Sequence, residues 1–251
     1  MKTRPALLPL TALLSVLPAA LSFAGPIDIG SRLQLMVDDH LVEKWSGRAR
    51  LRLHAPEARD IVLTFDKSWE GNTSMVLNCF RDGDVFRMFY RAENYAAVGK
   101  DRTHPSFLCL AESDDGIHWR RPDLGLVEFE GGRQNNIIST QILVPFKDTN
   151  PNAAPEARYK GFGVSTFLNP RRRELFVYQS ADGLHWQKMR GEPVMTKGVT
   201  PHAFDSVNTG FWDPLRGEYR AYIRDYLDGK RRIKTATSQD FMNWSEPQWL
   251  E

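Results

Sequence analysis

Cysteine is nearly absent from this chain. Its 251 residues include two, Cys79 and Cys109. Two thiols cannot build a disulfide framework, and no Cys/His spacing has the form of a zinc site. Neither a metal nor an organic cofactor is expected. No long stretch repeats its apolar residues every three to four positions, which excludes a helical domain. Net charge is also missing. The formal charge is +2, and it falls to zero without Lys2 and Arg4 of the leader described next. A neutral chain argues against nucleic acid as a partner. Arg171-Arg172-Arg173 is a basic cluster that reads as a solvated turn.

The longest apolar run, Leu7 to Leu21, is short for a bilayer span and is broken by prolines. It follows Lys2 and Arg4 and ends at Ser22-Phe23-Ala24, small residues at the −3 and −1 positions of a cut before Gly25. These are the parts of a secretory signal peptide over residues 1–24. The expected location is secreted or periplasmic, with no membrane attachment after cleavage near Ala24-Gly25.

Aromatic residues are abundant, and they repeat. Ser113-x-Asp115-Gly116-x-x-Trp119 returns as Ser180-x-Asp182-Gly183-x-x-Trp186. It returns again as Ser238-x-Asp240-Phe241-x-x-Trp244, with Phe in place of Gly. The tryptophans stand 67 and then 58 residues apart. Upstream of each heptad lies a turn and an alternating aromatic strand marked by Phe86-Arg87, Tyr159-Lys160 or Tyr219-Arg220. A further short strand lies on either side of that one. Four short antiparallel strands recurring at this spacing are propeller blades, with the heptad at the turn between the third and fourth strands.

The predicted fold is therefore all-β, a β-propeller of four-stranded antiparallel blades. Residues 25–66 read as N-terminal strands ("RLQLMV", "ARLRLH", "DIVLTF"). Blades follow over 67–130, 131–198 and 199–251. Three blades fall short of closure, so the sequence reads as a C-terminally truncated propeller of the five-bladed type. Cys79 and Cys109 fall on strands that are not neighbours, and two buried free thiols are expected.

The segments "VDDHLVE", "WEGNTS", "AESDDGIHWRRPDLGLVEFEG" and "DSVNTGFWDPLRGEYRAYIR" resemble exported bacterial proteins of the glycosyl hydrolase family 32 N-terminal-like kind. These belong to the five-bladed superfamily of invertases, arabinanases and xylosidases. The resemblance spans about residues 30–251 and implies a glycosidase acting on a plant or algal glycan through paired carboxylates in a central pocket. A carbohydrate is then the expected partner. A non-catalytic sugar-binding propeller and a fragment inactive alone are the other readings. The Arg-Asp-Pro and Glu-Cys signatures of invertase-like enzymes are absent. The candidate residues come from strand register instead.

In a propeller the innermost strand of each blade starts, and the second strand ends, at the face that opens on the central pocket. Starts of inner strands supply Glu70 and Asn72, then Asn136, then Asp205 and Asn208. Ends of second strands supply Arg91 and Glu93, then Arg224 and Asp225. Matching Arg87 to Arg220 sets Asn72 opposite Asp205, with Glu70 two residues earlier. Asp205 and Glu70 are the expected catalytic pair and Glu93 the reserve acid, because glycosidic cleavage needs one carboxyl to protonate the leaving oxygen and a second to attack or to activate water. Asn72, Arg91, Asn136, His202, Asn208, Arg224 and Asp225 are the expected substrate contacts. Arg91 with Glu93, and Arg224 with Asp225, are equally well read as ion pairs between blades. Asp38 and Asp39 read as an acidic turn.

Overall fold

A computed structural model describes residues 25–97, 101–165, 174–196, 203–205 and 207–250. The expected signal peptide, the Arg171 cluster and His202 lie outside them. Among the described residues there is no helix longer than a 3-10 turn at Pro155–Ala157, and none long and apolar enough to cross a membrane.

The chain divides into two units, residues 1–59 and 60–251. In the first, the described residues form turns without strands. Asp38 accepts a hydrogen bond from the His40 backbone, and Asp39 one from the Trp45 indole. The three strands expected over residues 25–66 do not form. Alternating apolar residues such as Leu33 and Leu53 stay almost fully exposed. Alternation makes a strand only where a neighbouring edge accepts its backbone hydrogen bonds, and these segments pair with none.

The second unit holds three antiparallel sheets. The first contains β1 (Met75–Asp82), β2 (Val85–Ala92), β3 (Phe107–Ser113) and β4 (Trp119–Arg120), in that order. Its outer edge is shared, because β5 (Ile137–Ser139) also pairs with β3. The next sheet runs β6 (Leu143–Lys147), β7 (Tyr159–Val164), β8 (Leu175–Ser180) and β9 (Gln187–Lys188). The last runs β10 (Thr209–Asp213), β11 (Glu218–Leu227), β12 (Lys230–Ser238) and β13 (Gln248–Trp249). Among the described residues three sheets thus follow the expected four-strand path, the first with β5 as a fifth strand. One boundary moves. β5 completes the first sheet, so the first repeat extends beyond residue 130 to Ser139, and Asn136 belongs to that sheet's outer edge.

Packing follows from the two-residue period of a strand. On β2, Met88 and Tyr90 face one side with Phe107, Cys109 and Ile137. Phe89 faces the other, with Leu108, Leu110, Leu143 and Tyr178 of the first and second sheets. Phe146, Phe162, Leu175, Tyr219, Ile223 and Phe241 form the third layer, between the second and third sheets. Cys109 is buried as expected. Cys79, expected to be buried, is exposed, and both are free. Cys79 lies on β1, the inner strand with no sheet paired on its other edge.

The heptads fold alike. Ser113 Oγ accepts the Gly116 N–H at 2.9 Å, while Asp115 Oδ1 accepts the N–H groups of Ile117 and His118, each at 2.8 Å. The Trp119 indole donates to the Gly116 carbonyl at 3.0 Å. The second copy repeats every one of these bonds from Ser180, Asp182 and Trp186. The His118 ring on Asp115 Oδ2, with the two backbone donors, holds the Asp115 carboxyl well below the usual carboxylate range. In the third copy Phe241 adopts φ 65°, where the glycines have 77° and 80°. A Cβ in this region is strained. Phe241 is fully buried against Phe146, Phe162, Tyr219 and Trp244, and that burial offsets the strain.

Trp119 is half-buried against the first sheet's core. Trp119→Ala should cost roughly 2 kcal/mol, below the range for a fully buried Trp. Urea unfolding measures it. Loss of activity at unchanged stability would show that the heptad does more than close a turn.

Candidate active site

The heptads sit at the end of each sheet where the third strand finishes. At the other end, a cavity of about 90 Å³ opens among the inner strands. The start of β1 gives Met75 and Leu77, the start of β6 gives Leu143 and Val144, and the segment before β10 gives Phe204, Asp205, Val207 and Asn208. The chain beyond β2 adds Glu93, and Arg91 closes that side from the strand end. Inner-strand starts and second-strand ends therefore meet as the register predicts. The walls are largely aliphatic with two phenylalanines, and the polar groups collect on one side.

Asp205 is the accessible acid. Its side chain is 44% exposed, and Arg224 grips it twice: Nη1 lies 3.1 Å from Oδ2 and donates to the backbone carbonyl at 2.8 Å. Arg224 is itself buried and donates through Nη2 to the Tyr226 hydroxyl at 2.6 Å. Hydrogen bonds from Arg231 and then Arg224 draw the Tyr226 phenol below its ordinary pKa. Asn208 accepts the Arg224 backbone N–H and donates to the Phe204 carbonyl, which ties β11 to the loop that carries Asp205. That loop is strained. Phe204, buried beside Asp205, has φ 59°, a backbone conformation costly for a bulky side chain and enriched at functional sites.

Glu93 is the second acid of the cavity, and it is nearly sealed. One oxygen lies 3.1 Å from Arg91 Nη2; the other accepts from Ser106 Oγ at 2.6 Å and from Arg102 Nε. Two guanidinium groups and a hydroxyl thus converge on one carboxylate. The Nε atoms of Arg91 and Arg224 are buried without a hydrogen-bond partner among the described residues. The pairing expected of Arg224 with Asp225 does not occur. Asp225 pairs with Lys234 on β12 at 3.2 Å, while Arg224 takes Asp205. Arg91 and Glu93 pair along one segment rather than between blades.

Glu70 does not line the cavity. It is buried within the first sheet's core, where Arg121 clasps both oxygens at 2.8 Å and the Tyr90 hydroxyl donates at 2.5 Å. Asn136 completes this network by donating to the Tyr90 oxygen at 2.6 Å and accepting from the Trp69 indole at 2.9 Å. Burial, then the neighbouring Cys109 and Glu70, push the Tyr90 phenol far above its ordinary value. Asn72 pins the loop after β2, donating to the Tyr95 carbonyl and accepting its N–H. The structure thus brings Asp205, Glu93, Arg91 and Asn208 to one cavity, with Arg224 behind Asp205. It assigns Glu70, Asn72 and Asn136 to holding the first sheet together. Sequence reasoning missed Arg102 and Ser106, which secure Glu93; their approach to it depends on a loop closed by hydrogen bonds between Asn94 and Thr103.

No family model matches the chain, and no curated protein matches it significantly. Solved structures do. A fructofuranosidase from Schwanniomyces occidentalis aligns over 76% of this chain with a TM-score of 0.52 at 13% identity. The chain shares its fold with that protein over this stretch, a partial β-propeller. Two further matches have lower TM-scores. A putative glycosidase from Bacteroides thetaiotaomicron aligns over 72% of this chain at 23% identity and a TM-score of 0.42. A member of the GH130 family of mannoside phosphorylases, described as containing hydrolases of β-1,2 mannosidic linkages in Candida mannan, gives 20% identity over 72% and a TM-score of 0.46. The chain spans about half the length of these last two, 51% and 50%, and 36% of the fructofuranosidase.

Proposed function

We propose that the chain carries the substrate pocket of an exported glycoside hydrolase acting on a plant or algal glycan, with Asp205 as the carboxylate that meets the sugar. The observation that carries this reading is a solvent-reachable carboxylate, fixed by a buried arginine, at the mouth of a largely apolar cavity among the inner strands. The apolar walls suit the C–H faces of a sugar ring, and Asn208 and Arg91 stand where hydroxyl groups would turn. Arg224 fixes the Asp205 carboxyl at the cavity, where it can attack the anomeric carbon or activate water. Glu93, held by two arginines, keeps Arg91 in place at the cavity wall.

A second reading, a propeller that binds sugar without cleaving it, is favoured by one observation. Both carboxylates lining the cavity among the described residues are paired with arginine, so neither is placed as the acid of the reaction. The test is a panel of plant and algal polysaccharides and aryl glycosides, incubated with the full-length secreted protein and read by reducing-end or aryl release. Release from at least one member is expected. Binding without release on the whole panel would overturn the hydrolase in favour of the second reading.

A further inference from the structure

A second concavity lies at the opposite end of the sheets from Asp205. The β6–β7 connection (Asn150, Asn152, Ala153, Ala154), the end of β8 (Gln179), the end of β10 (Trp212) and the β12–β13 turn (Gln239) enclose a groove of about 610 Å³. It joins the second and third sheets and shares no residue with the cavity.

The chemistry of this groove differs from that of the cavity. Its charges are spent internally. Lys160, buried at its base, is locked to Asp148 and to the Ala157 carbonyl. Asp240 uses one oxygen on the backbone of Met242 and Asn243 and the other on the Asn243 amide. Amides and an indole remain. Asn150 is held by the Tyr219 hydroxyl at 3.0 Å. The side-chain amides of Asn152, Gln179 and Gln239 and the indole N–H of Trp212 have no hydrogen-bond partner among the described residues. Trp212 does not swing freely, because its ring packs edge-on against Tyr219 with centroids 4.9 Å apart.

A fixed, partly buried indole flanked by solvent-facing amides is complementary to a sugar. A pyranose or furanose ring offers an apolar C–H face for the indole, and hydroxyl groups that donate and accept at once, as amides do. Among the described residues of the groove the cation, Lys160, is already paired, which leaves an anionic ligand without a counter-charge there. We infer that this groove is a second carbohydrate-binding site, taking a neutral oligosaccharide segment and keeping the protein on its polymer away from the cavity. The inference rests on a carbohydrate being the partner, but on no catalytic role for Asp205.

Native gels cast with inulin, arabinan, xylan or galactomannan test it, with polygalacturonate and carrageenan as the charged arm. The full-length protein should be retarded by at least one neutral polymer. Trp212→Ala should weaken that retardation about ten-fold in apparent Kd, a loss of one order of magnitude. Since Trp212 also packs on Tyr219, the Gln179→Ala/Gln239→Ala double variant provides a second test; the two side chains have no hydrogen-bond partner among the described residues, so no bond seen there is removed. Asp205→Asn should keep the part of the retardation that depends on Gln179 and Gln239. Retardation by charged polymers alone, by no polymer, or undiminished in the double variant would overturn the groove site. Retardation lost in Asp205→Asn and kept in the double variant would move all binding to the cavity, overturning the groove while leaving the hydrolase reading intact. Glycoside release without any retardation would do the same.

Discussion

Asp205→Asn should lower glycoside release by about 10²–10⁴-fold, the range for loss of a group acting directly in the transition state. The substitution is close to isosteric. Its amide oxygen can still accept from Arg224 Nη1, and that guanidinium keeps the Asp205 backbone carbonyl and the Tyr226 hydroxyl. The fold should therefore survive at a cost near that of a partly exposed ion pair, about 1 kcal/mol. What disappears is the negative charge at the cavity mouth. A carboxylate that attacks the sugar should also be replaceable from solution, so azide or formate should restore part of the release. The measurement is kcat on whichever panel substrate the wild type cleaves, beside a thermal melt. Wild-type kcat in a variant confirmed as Asp205→Asn would remove Asp205 from the chemistry.

Arg121→Met is expected to be the most damaging substitution for stability, by roughly 3–5 kcal/mol, because it leaves the Glu70 carboxylate buried without its counter-charge. Glu70 is 2% exposed and its surroundings are Tyr90, Asn136, Trp69 and the first sheet's core. Adding Glu70→Gln should recover a large part of the loss, since a neutral amide can still accept from Tyr90 without an unpaired charge. Urea midpoints of the wild type, both single variants and the double variant form the cycle that isolates the pair. Glu70→Gln alone should destabilise the protein and leave kcat of the folded fraction unchanged. A stable Glu70→Gln protein that no longer releases sugar would return Glu70 to the chemistry.

These two residues also show how far the sequence reaches. The heptads were legible because their bonds run over two or three residues: Ser113 to Gly116, Asp115 to His118, Gly116 to Trp119. Local turn chemistry leaves a local signature, and from it follow the blade register and the end of the sheets at which Asp205, Glu93, Arg91 and Asn208 meet. Glu70 looked equivalent because it also precedes an inner strand. Its fate depends on Arg121, 51 residues later, and on Tyr90 and Asn136. No spacing rule encodes that approach. The same holds for Arg224, whose neighbour in sequence is Asp225 but whose partner is Asp205. The N-terminal strands failed for the converse reason, since their alternation was present and a pairing edge was not.

Phe241 has a consequence for anyone who would regularise this protein. Consensus engineering compares the three heptads, finds Gly twice and writes Gly a third time, which would relieve the backbone at φ 65°. It would also empty the ring's place between the second and third sheets. The inner strand has already been fitted to that ring, because a Cβ at Gly210 would come within 3.0 Å of it. The degenerate copy of the repeat is thus the keystone of its interface. Averaging the copies would remove the part that distinguishes neighbouring blades and tells them which side to stack on.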